Sequence, residues 1–215
     1  MVTTSAQASD RGFRISGGKS FVADGHVADL ILVSARSSGG VRDENGISLF
    51  LVPRDCAGLT IERQMMVDSR NSATVQFYGV EVDFDALVGE AGAGYPVLEH
   101  VLDAGRACLA AEMLGSAQEC LAHTIDYLST RRQFDRTIGS FQALQHRAAH
   151  LFTEIEIGRS AVMRALQALD AASNDRQLIV SVAKSKVGRV AQLAAQETIQ
   201  MHRGIGKTDE FNLGC

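Results

Sequence analysis

The sequence predicts an α+β protein: a partial β-barrel-like middle domain over residues 1–90, then an antiparallel C-terminal helical bundle over residues 91–215. Three observations predict it. The first part of the chain holds short runs rich in β-branched and aromatic residues, separated by polar stretches, as strands do. A segment with three glycines and a proline, "VGEAGAGYP" (88–96), interrupts that pattern. After it, apolar residues recur at spacings of three, four or seven, the stripe of amphipathic helices.

The elements follow in order. "MVTTSAQASDRG" has no apolar stretch of the kind a secretory signal carries, and fits a loop. Residues 12 to about 88 read as β-structure, with strands at "LILV" (30–33), "ISLFLV" (47–52) and "ATVQFYGVEV" (73–82). Asn45-Gly46 stands before the second run, as a hairpin turn would. Pro53 ends that run, where its missing N–H does least harm to a ladder. Pro96 suits the first residue of a helix. From there to Arg132 the stripe runs through Leu98, Val101, Leu102, Leu109, Met113, Leu114, Leu121, Ile125 and Leu128. Unbroken, that helix would span roughly 55 Å at about 1.5 Å per residue. A second helix is predicted from Ser140, as N-cap, through Leu144, Leu151, Phe152, Ile155, Val162, Leu166 and Leu169. "DAASNDRQ" breaks it, and a third runs from about Arg176 to Met201 through Ile179, Val182, Val187, Val190, Leu193, Ala194 and Thr198. Short links between three long helices imply an antiparallel bundle.

Bulk properties exclude several classes of function. With 46% apolar residues the chain can sustain a sizeable core. A formal charge of −4 argues against a nucleic-acid partner, which usually needs a basic face. No apolar run approaches the roughly 18 residues that span a bilayer, so no membrane partner is expected. Cys56, Cys108, Cys120 and Cys215 show no metal-type pairing, and no metal is expected. Cys108 and Cys120 read as small thiols buried on helices. Without a disulfide framework, the cytoplasm is the expected compartment. No G-x-G-x-x-G lies between a strand and a helix, so a dinucleotide-binding sheet is unsupported.

Two places carry side chains suited to a ligand. At the end of the first helix, Arg131 and Arg132 could simply offset the helix macrodipole. Around them, however, Gln133 and Gln142 offer amide donors and acceptors, and Phe134 and Phe141 offer flat apolar faces. With arginines able to grip phosphate bidentately, these are groups for a nucleotide with a pyrophosphate and a planar ring. Ordinary corner packing is the other reading of the two phenylalanines. At the end of the third helix, Gly204 and Gly206 permit either close backbone approach or a routine C-cap. His202, with no second His or Cys at ligand spacing, reads as a satisfied polar group.

The order of motifs adds a resemblance. "DYLSTRRQFDRTIGSFQALQHR" (126–147) resembles the Y-x-x-x-R-x-Q-F-G-x-P-I-x-x-F-Q segment of acyl-CoA dehydrogenases. "QMHRGIGKTDE" (200–210) is similar to their Q-x-x-G-G-x-G-x-T segment. "GGKSFVADGHVADLILVSAR" (17–36) is similar to their middle-domain strand, and "LDAGRACLAAEMLGSA" (102–117) to the start of their helical bundle. Within the family, "FVADGHVADLILVSAR" and "HRGIGKTDE" look closest to small subunits of pimeloyl-CoA-type dehydrogenases. The resemblance implies an FAD-dependent enzyme that dehydrogenates an acyl-CoA to a trans-2-enoyl-CoA and passes electrons to an acceptor protein. It also implies a homo-oligomer, dimer or tetramer, or a hetero-oligomer with a related subunit. In the family the corner reaches the FAD of a neighbouring subunit, so Arg131 would contact the pyrophosphate, with Gln133, Phe141 and Gln142 nearby. Gln200, Met201, His202, Arg203 and Gly204 would meet the same cofactor. Phe21, Val22 and Ala23 would flank the flavin ring, and Asp103 and Arg106 would contact the acyl-CoA.

Several positions depart from the pattern. Phe21 stands for a Trp, Ala23 for a Thr, Asp135 for a Gly and Arg203 for the first Gly of a pair. Ala23 forgoes one hydrogen bond to flavin, about 1 kcal/mol in net terms. Members of the family normally begin with a helical domain and continue past the position of residue 215, so the resemblance implies a portion of such an enzyme. Some members place the catalytic Glu one residue before the arginine matched by Arg106, and that position is Gly105. Asp103 lies roughly 200° round the helix from it, and Asp209 and Glu210 belong to the cofactor-side segment. These 215 residues alone are therefore expected not to turn over acyl-CoA. The alternative is a non-catalytic partner that completes an FAD site and an oligomer interface.

Overall fold

A computed structural model of the chain describes residues 1–68, 70–204 and 206. It divides into two compact units, Met1–His100 and Val101–Cys215.

The first unit is built on a seven-stranded sheet. Its strands are β1 (Ser5–Ser9), β2 (Gly12–Ala23), β3 (Leu30–Arg36), β4 (Ile47–Pro53), β5 (Leu59–Met65), β6 (Asn71–Asp83) and β7 (Leu87–Val88), in the spatial order β5-β6-β2-β1-β3-β4-β7. Neighbours are antiparallel except β1 and β3, which meet in parallel at Ser5 and Arg36. Two strands were not expected. The N-terminal segment is not a loop: Ser5–Ser9 pairs with Gly12–Ser16 across a tight turn. "SAQAS" carries little strand signal of its own, and its pairing partner decides its conformation. Leu59–Met65 likewise forms β5 along β6.

One face of the sheet holds a core of large side chains, with Ile15, Val33, Phe50, Val52, Val75, Phe77 and Val80 buried together. Along β6 the buried apolar residues are odd-numbered up to Phe77 and even-numbered from Val80. Gly79 supplies the extra residue of a bulge, at φ 66, and that single insertion switches the inward parity.

Asn45-Gly46 is not a two-residue hairpin turn but the end of a longer β3–β4 connection. Arg36, nearly buried, fills that loop. Its guanidinium donates to the Asn45 carbonyl through Nη1 and the Asp43 carbonyl through Nη2, both at 2.7 Å. Gly46 has φ 85, and a Cβ there would stand 2.2 Å from the Ser38 carbonyl oxygen, so no other residue fits.

The second unit holds the helices α1 (Tyr95–Thr130, which begins in the first unit), α2 (Gln142–Asp170) and α3 (Arg176–His202). At 36 residues, α1 is unbroken. Phe141, not Ser140, is the N-cap of α2; the Ser140 hydroxyl donates to the Thr137 carbonyl. Ala107 of α1 clusters with Ala165 near the end of α2 and Val180 and Ala183 near the start of α3. The helices therefore run up, down and up.

The buried stripe of α1 keeps Leu114, Leu121 and Leu128 of the predicted one and differs in the rest. It reads Asp103, Ala107, Ala110, Leu114, Ala117, Leu121, Thr124, Leu128, alternating four and three, the 3.5-residue period of a supercoiled seam. Val101, Leu102, Leu109 and Ile125, expected on that stripe, are exposed, as are Phe152 and Leu166 of α2 and Val182 of α3. Period decides which side is buried; size does not. Among the described residues no helix is long and apolar enough to cross a membrane.

Candidate functional site

The residues expected to meet a cofactor fall into two groups, one in each unit. In the second unit they occupy the α1–α2 corner and the end of α3.

At the corner, α1 stops at Thr130 and the chain turns back through a small hairpin, β8 (Arg132–Gln133) and β9 (Arg136–Thr137). Its two turn residues, Phe134 and Asp135, have φ of 52° and 62°, the left-handed pair of a type I′ turn. Asp tolerates that conformation with a local cost, which accounts for Asp135 where the family pattern has Gly. A phenylalanine there is unusual and marks strain held in place by its surroundings. Arg132 is spent on this turn: its Nη2 donates to the Asp135 carbonyl at 3.1 Å. Phe134, 79% exposed, meets Phe141 edge-on with ring centroids 6.2 Å apart. The Arg136 guanidinium lies 3.9 Å from the Phe141 ring centroid, a cation–π contact that fixes the ring. Arg131, Gln133 and Gln142 are exposed, and their side chains form no hydrogen bond or ion pair among the described residues.

The end of α3 lies against this corner. Met201 is buried in one cluster with Leu128 and Ile138. His202 is fully buried, stacks on Tyr127 at 4.5 Å between centroids, and donates through Nδ1 to the Thr198 carbonyl at 2.8 Å. A buried chain continues from Thr198, whose hydroxyl accepts from the Thr124 hydroxyl at 3.2 Å. Met201 and His202 therefore serve as core, and Gln200, Arg203 and Gly204 present the exposed groups. Arg203 closes the helix at φ 58 and ψ −132, a conformation that glycine fits and arginine strains. Ile205 and residues 207–215, including Asp209, Glu210 and Cys215, lie outside the described residues.

In the first unit, β2 has a second bulge between Lys19 and Val22, and Val22 and Ala23 end the strand beyond it. Phe21 sits in the bulge at φ 55, 68% exposed, with its backbone N–H donating to Gln64 Oε1 at 3.3 Å. The bulge thus turns an aromatic face outward. Nearby, Lys19 donates to the Ser34 hydroxyl at 3.1 Å, and burial pushes its pKa down.

On α1, Asp103 and Arg106 are paired, Arg106 Nη1 to Asp103 Oδ1 at 2.8 Å. The Asp103 side chain is fully buried, and its other oxygen accepts from Arg176 Nε at 3.0 Å. Arg106 is thus the group of this pair that meets solvent. Neither Arg136 nor Arg176 stood out in the sequence, because their contacts depend on a hairpin and on helix pairing. Among the described residues no cluster of His, Cys, Asp or Glu could hold a metal. Cys108, expected to be buried, is exposed.

The donor set at the corner suits FAD. A cation without a partner, two amides and a fixed ring are what a pyrophosphate beside a planar ring requires, and the exposed Phe21 face suits a flavin.

Comparisons with known proteins identify the family. The acyl-CoA dehydrogenase C-terminal domain family matches residues 92–214, and the middle domain family matches residues 1–80. The chain is 34% identical over 215 residues to the short/branched chain specific acyl-CoA dehydrogenase, mitochondrial, of Rattus norvegicus, covering 97% of this chain and 48% of that protein. Butyryl-CoA dehydrogenase from Megasphaera elsdenii superposes with a TM-score of 0.90 at 26% identity, covering 99% of this chain and 56% of that one. A chain in the structure of the electron transferring flavoprotein of Acidaminococcus fermentans superposes at 0.87 with 29% identity, covering 99% and 56%. The chain spans about half the length of the relatives it matches.

Proposed function

Since the chain belongs to the acyl-CoA dehydrogenase family, we propose that it forms part of an FAD-dependent enzyme that dehydrogenates an acyl-CoA at its α,β-bond. The observation that carries this reading is the contrast at the corner: Arg132 is engaged in the hairpin turn, while Arg131, like Gln133 and Gln142, keeps an exposed side chain with no partner among the described residues. When bound, FAD would supply the two-electron acceptor for the reaction. Arg131 would hold the pyrophosphate of a neighbouring subunit's FAD, the two glutamines would orient it, and Phe141, fixed by Arg136, would wall that site. Phe21 would offer its face to the flavin ring, and Ala23 supplies no hydroxyl there. Gln200, Arg203 and Gly204 would reach the cofactor from the end of α3. Arg106 would meet the acyl-CoA. Asp103, with both oxygens on arginines, is a partner to Arg106 and not a proton acceptor.

The exposed apolar side chains of the three helices support assembly with further copies or with a related subunit. An electron-transfer protein would be the acceptor. A non-catalytic partner subunit, of the kind suggested by the likeness of segments 21–36 and 202–210 to pimeloyl-CoA-type small subunits, is the second reading. It is favoured by Gly105, an exposed helical position with no side chain to act as a base.

Flavin uptake, followed by absorbance and fluorescence, tests the cofactor reading. Arg131→Ala should weaken FAD about tenfold or more, the worth of one charge-assisted contact. Arg132→Ala should weaken it far less. Equal effects would return both arginines to the role of helix-end cations.

A further inference from the structure

We propose that Arg176 is a positioning residue: by taking one oxygen of Asp103, it leaves Arg106 held through a single nitrogen, with charge and donors free for the phosphates of coenzyme A.

The geometry is a carboxylate shared by two cations. Asp103 Oδ1 accepts from Arg106 Nη1 at 2.8 Å and Oδ2 from Arg176 Nε at 3.0 Å, and the Asp103 side chain has no exposure. One negative and two positive charges leave the cluster with a net charge of +1. That excess appears at Arg106, whose side chain is 44% exposed, against 18% for Arg176. A buried carboxylate facing Arg106 alone would close on its fork through both oxygens, the preferred arginine–carboxylate arrangement. The pair would then be neutral and Arg106 would have little left to offer an anion.

Helix stability does not account for Arg176. It is the first residue of α3, where a cation meets the positive end of the macrodipole, and no acidic residue stands in that first turn. The contact it makes with Asp103, from a different helix, is what offsets that placement.

The ligand in this proposal rests on the acyl-CoA reading above; the hold on Arg106 does not. Both are testable on the full chain labelled with 15N, with the Arg106 Nε–Hε signal assigned through Arg106→Lys. In Arg176→Gln the Arg106 signal should shift and its hydrogen exchange should slow, as the fork closes on Asp103. Coenzyme A should bind about tenfold more weakly, the lower end for one charge-assisted contact, while pantetheine, which lacks the phosphates, should bind unchanged. Arg176→Lys, which keeps the charge, should preserve both the signal and the affinity, and it guards against a general loss of fold. An Arg106 signal unmoved in folded Arg176→Gln overturns the proposal, as does equal weakening of coenzyme A and pantetheine. If the unsubstituted chain binds neither, the acyl-CoA reading falls, and the Arg106 signal alone decides the role of Arg176.

Discussion

The sheet and the helices bury different mixtures of residues, with more alanine on the helices. The sheet covers its large side chains, Phe50, Phe77, Ile15 and Leu49 among them, and pairs them across strands. The helices bury alanines beside large side chains such as Leu114, Leu121, Leu151 and Ile155: Ala107, Ala110 and Ala117 on α1, Ala165 and Ala168 on α2, Ala183 and Ala194 on α3. Several other large residues of the helices, such as Leu102, Leu109, Ile157, Leu178 and Val182, face outward. In both, stability comes from apolar area taken from water; along the helical seam the small side chains also let the backbones approach closely. A surface left that apolar is suited to another protein chain.

Substitutions can break or sharpen this contrast. The largest effect is expected in the sheet, where Phe50→Ala should cost about 3–5 kcal/mol in urea unfolding, the price of a large buried cavity. A loss below 1 kcal/mol would mean that the sheet core tolerates voids as the contrast says it should not. On the seam the damaging change is in the other direction. Ala110→Leu should cost about 1–3 kcal/mol by pushing α1 off its neighbours, and a neutral result in the same assay would show that the helices have room to spare.

The third effect is a gain. Arg203→Gly should raise stability by about 1 kcal/mol, because glycine adopts the positive φ without strain. An unchanged midpoint would mean that Arg203 is compensated by contacts of its side chain. The smallest effect concerns pH. Burial lowers the pKa of Lys19 in the folded chain below its unfolded value, so the unfolded state holds the proton more tightly. Stability should therefore rise with pH between the lowered value and about 10.5, the ordinary lysine value. Lys19→Met should remove that rise, and a pH profile identical in both proteins would refute it.

Much of this architecture is legible in the sequence, for identifiable reasons. Glycines followed by Pro96 announce α1, which starts at Tyr95, and "DAASNDRQ" marks the α2–α3 link. What stayed hidden depends on partners. Ser5–Ser9 is a strand only because β2 lies beside it. Of the large residues of α1 that suggested a buried stripe, Leu114, Leu121 and Leu128 lie on it, yet Asp103, Ala107 and Thr124 share it, because a 3.5-residue seam selects by phase. At the corner, residue types suited to a phosphate and a ring were visible. The division of labour between Arg131 and Arg132 was not, since it follows from the turn at Phe134 and Asp135.

The stacked Tyr127 and His202 also provide an optical handle. The chain has no tryptophan and three tyrosines. Tyr78 is exposed, Tyr95 shares a hydrogen bond with Glu99 at 3.1 Å, and Tyr127 alone lies face to face with a buried imidazole. Near-ultraviolet dichroism from Tyr127 should therefore report when the ends of α1 and α3 separate. Replacing Tyr78 and Tyr95 with phenylalanine would leave a chain whose only phenol watches that one closure, and would give the helical unit its own melting curve without any added label.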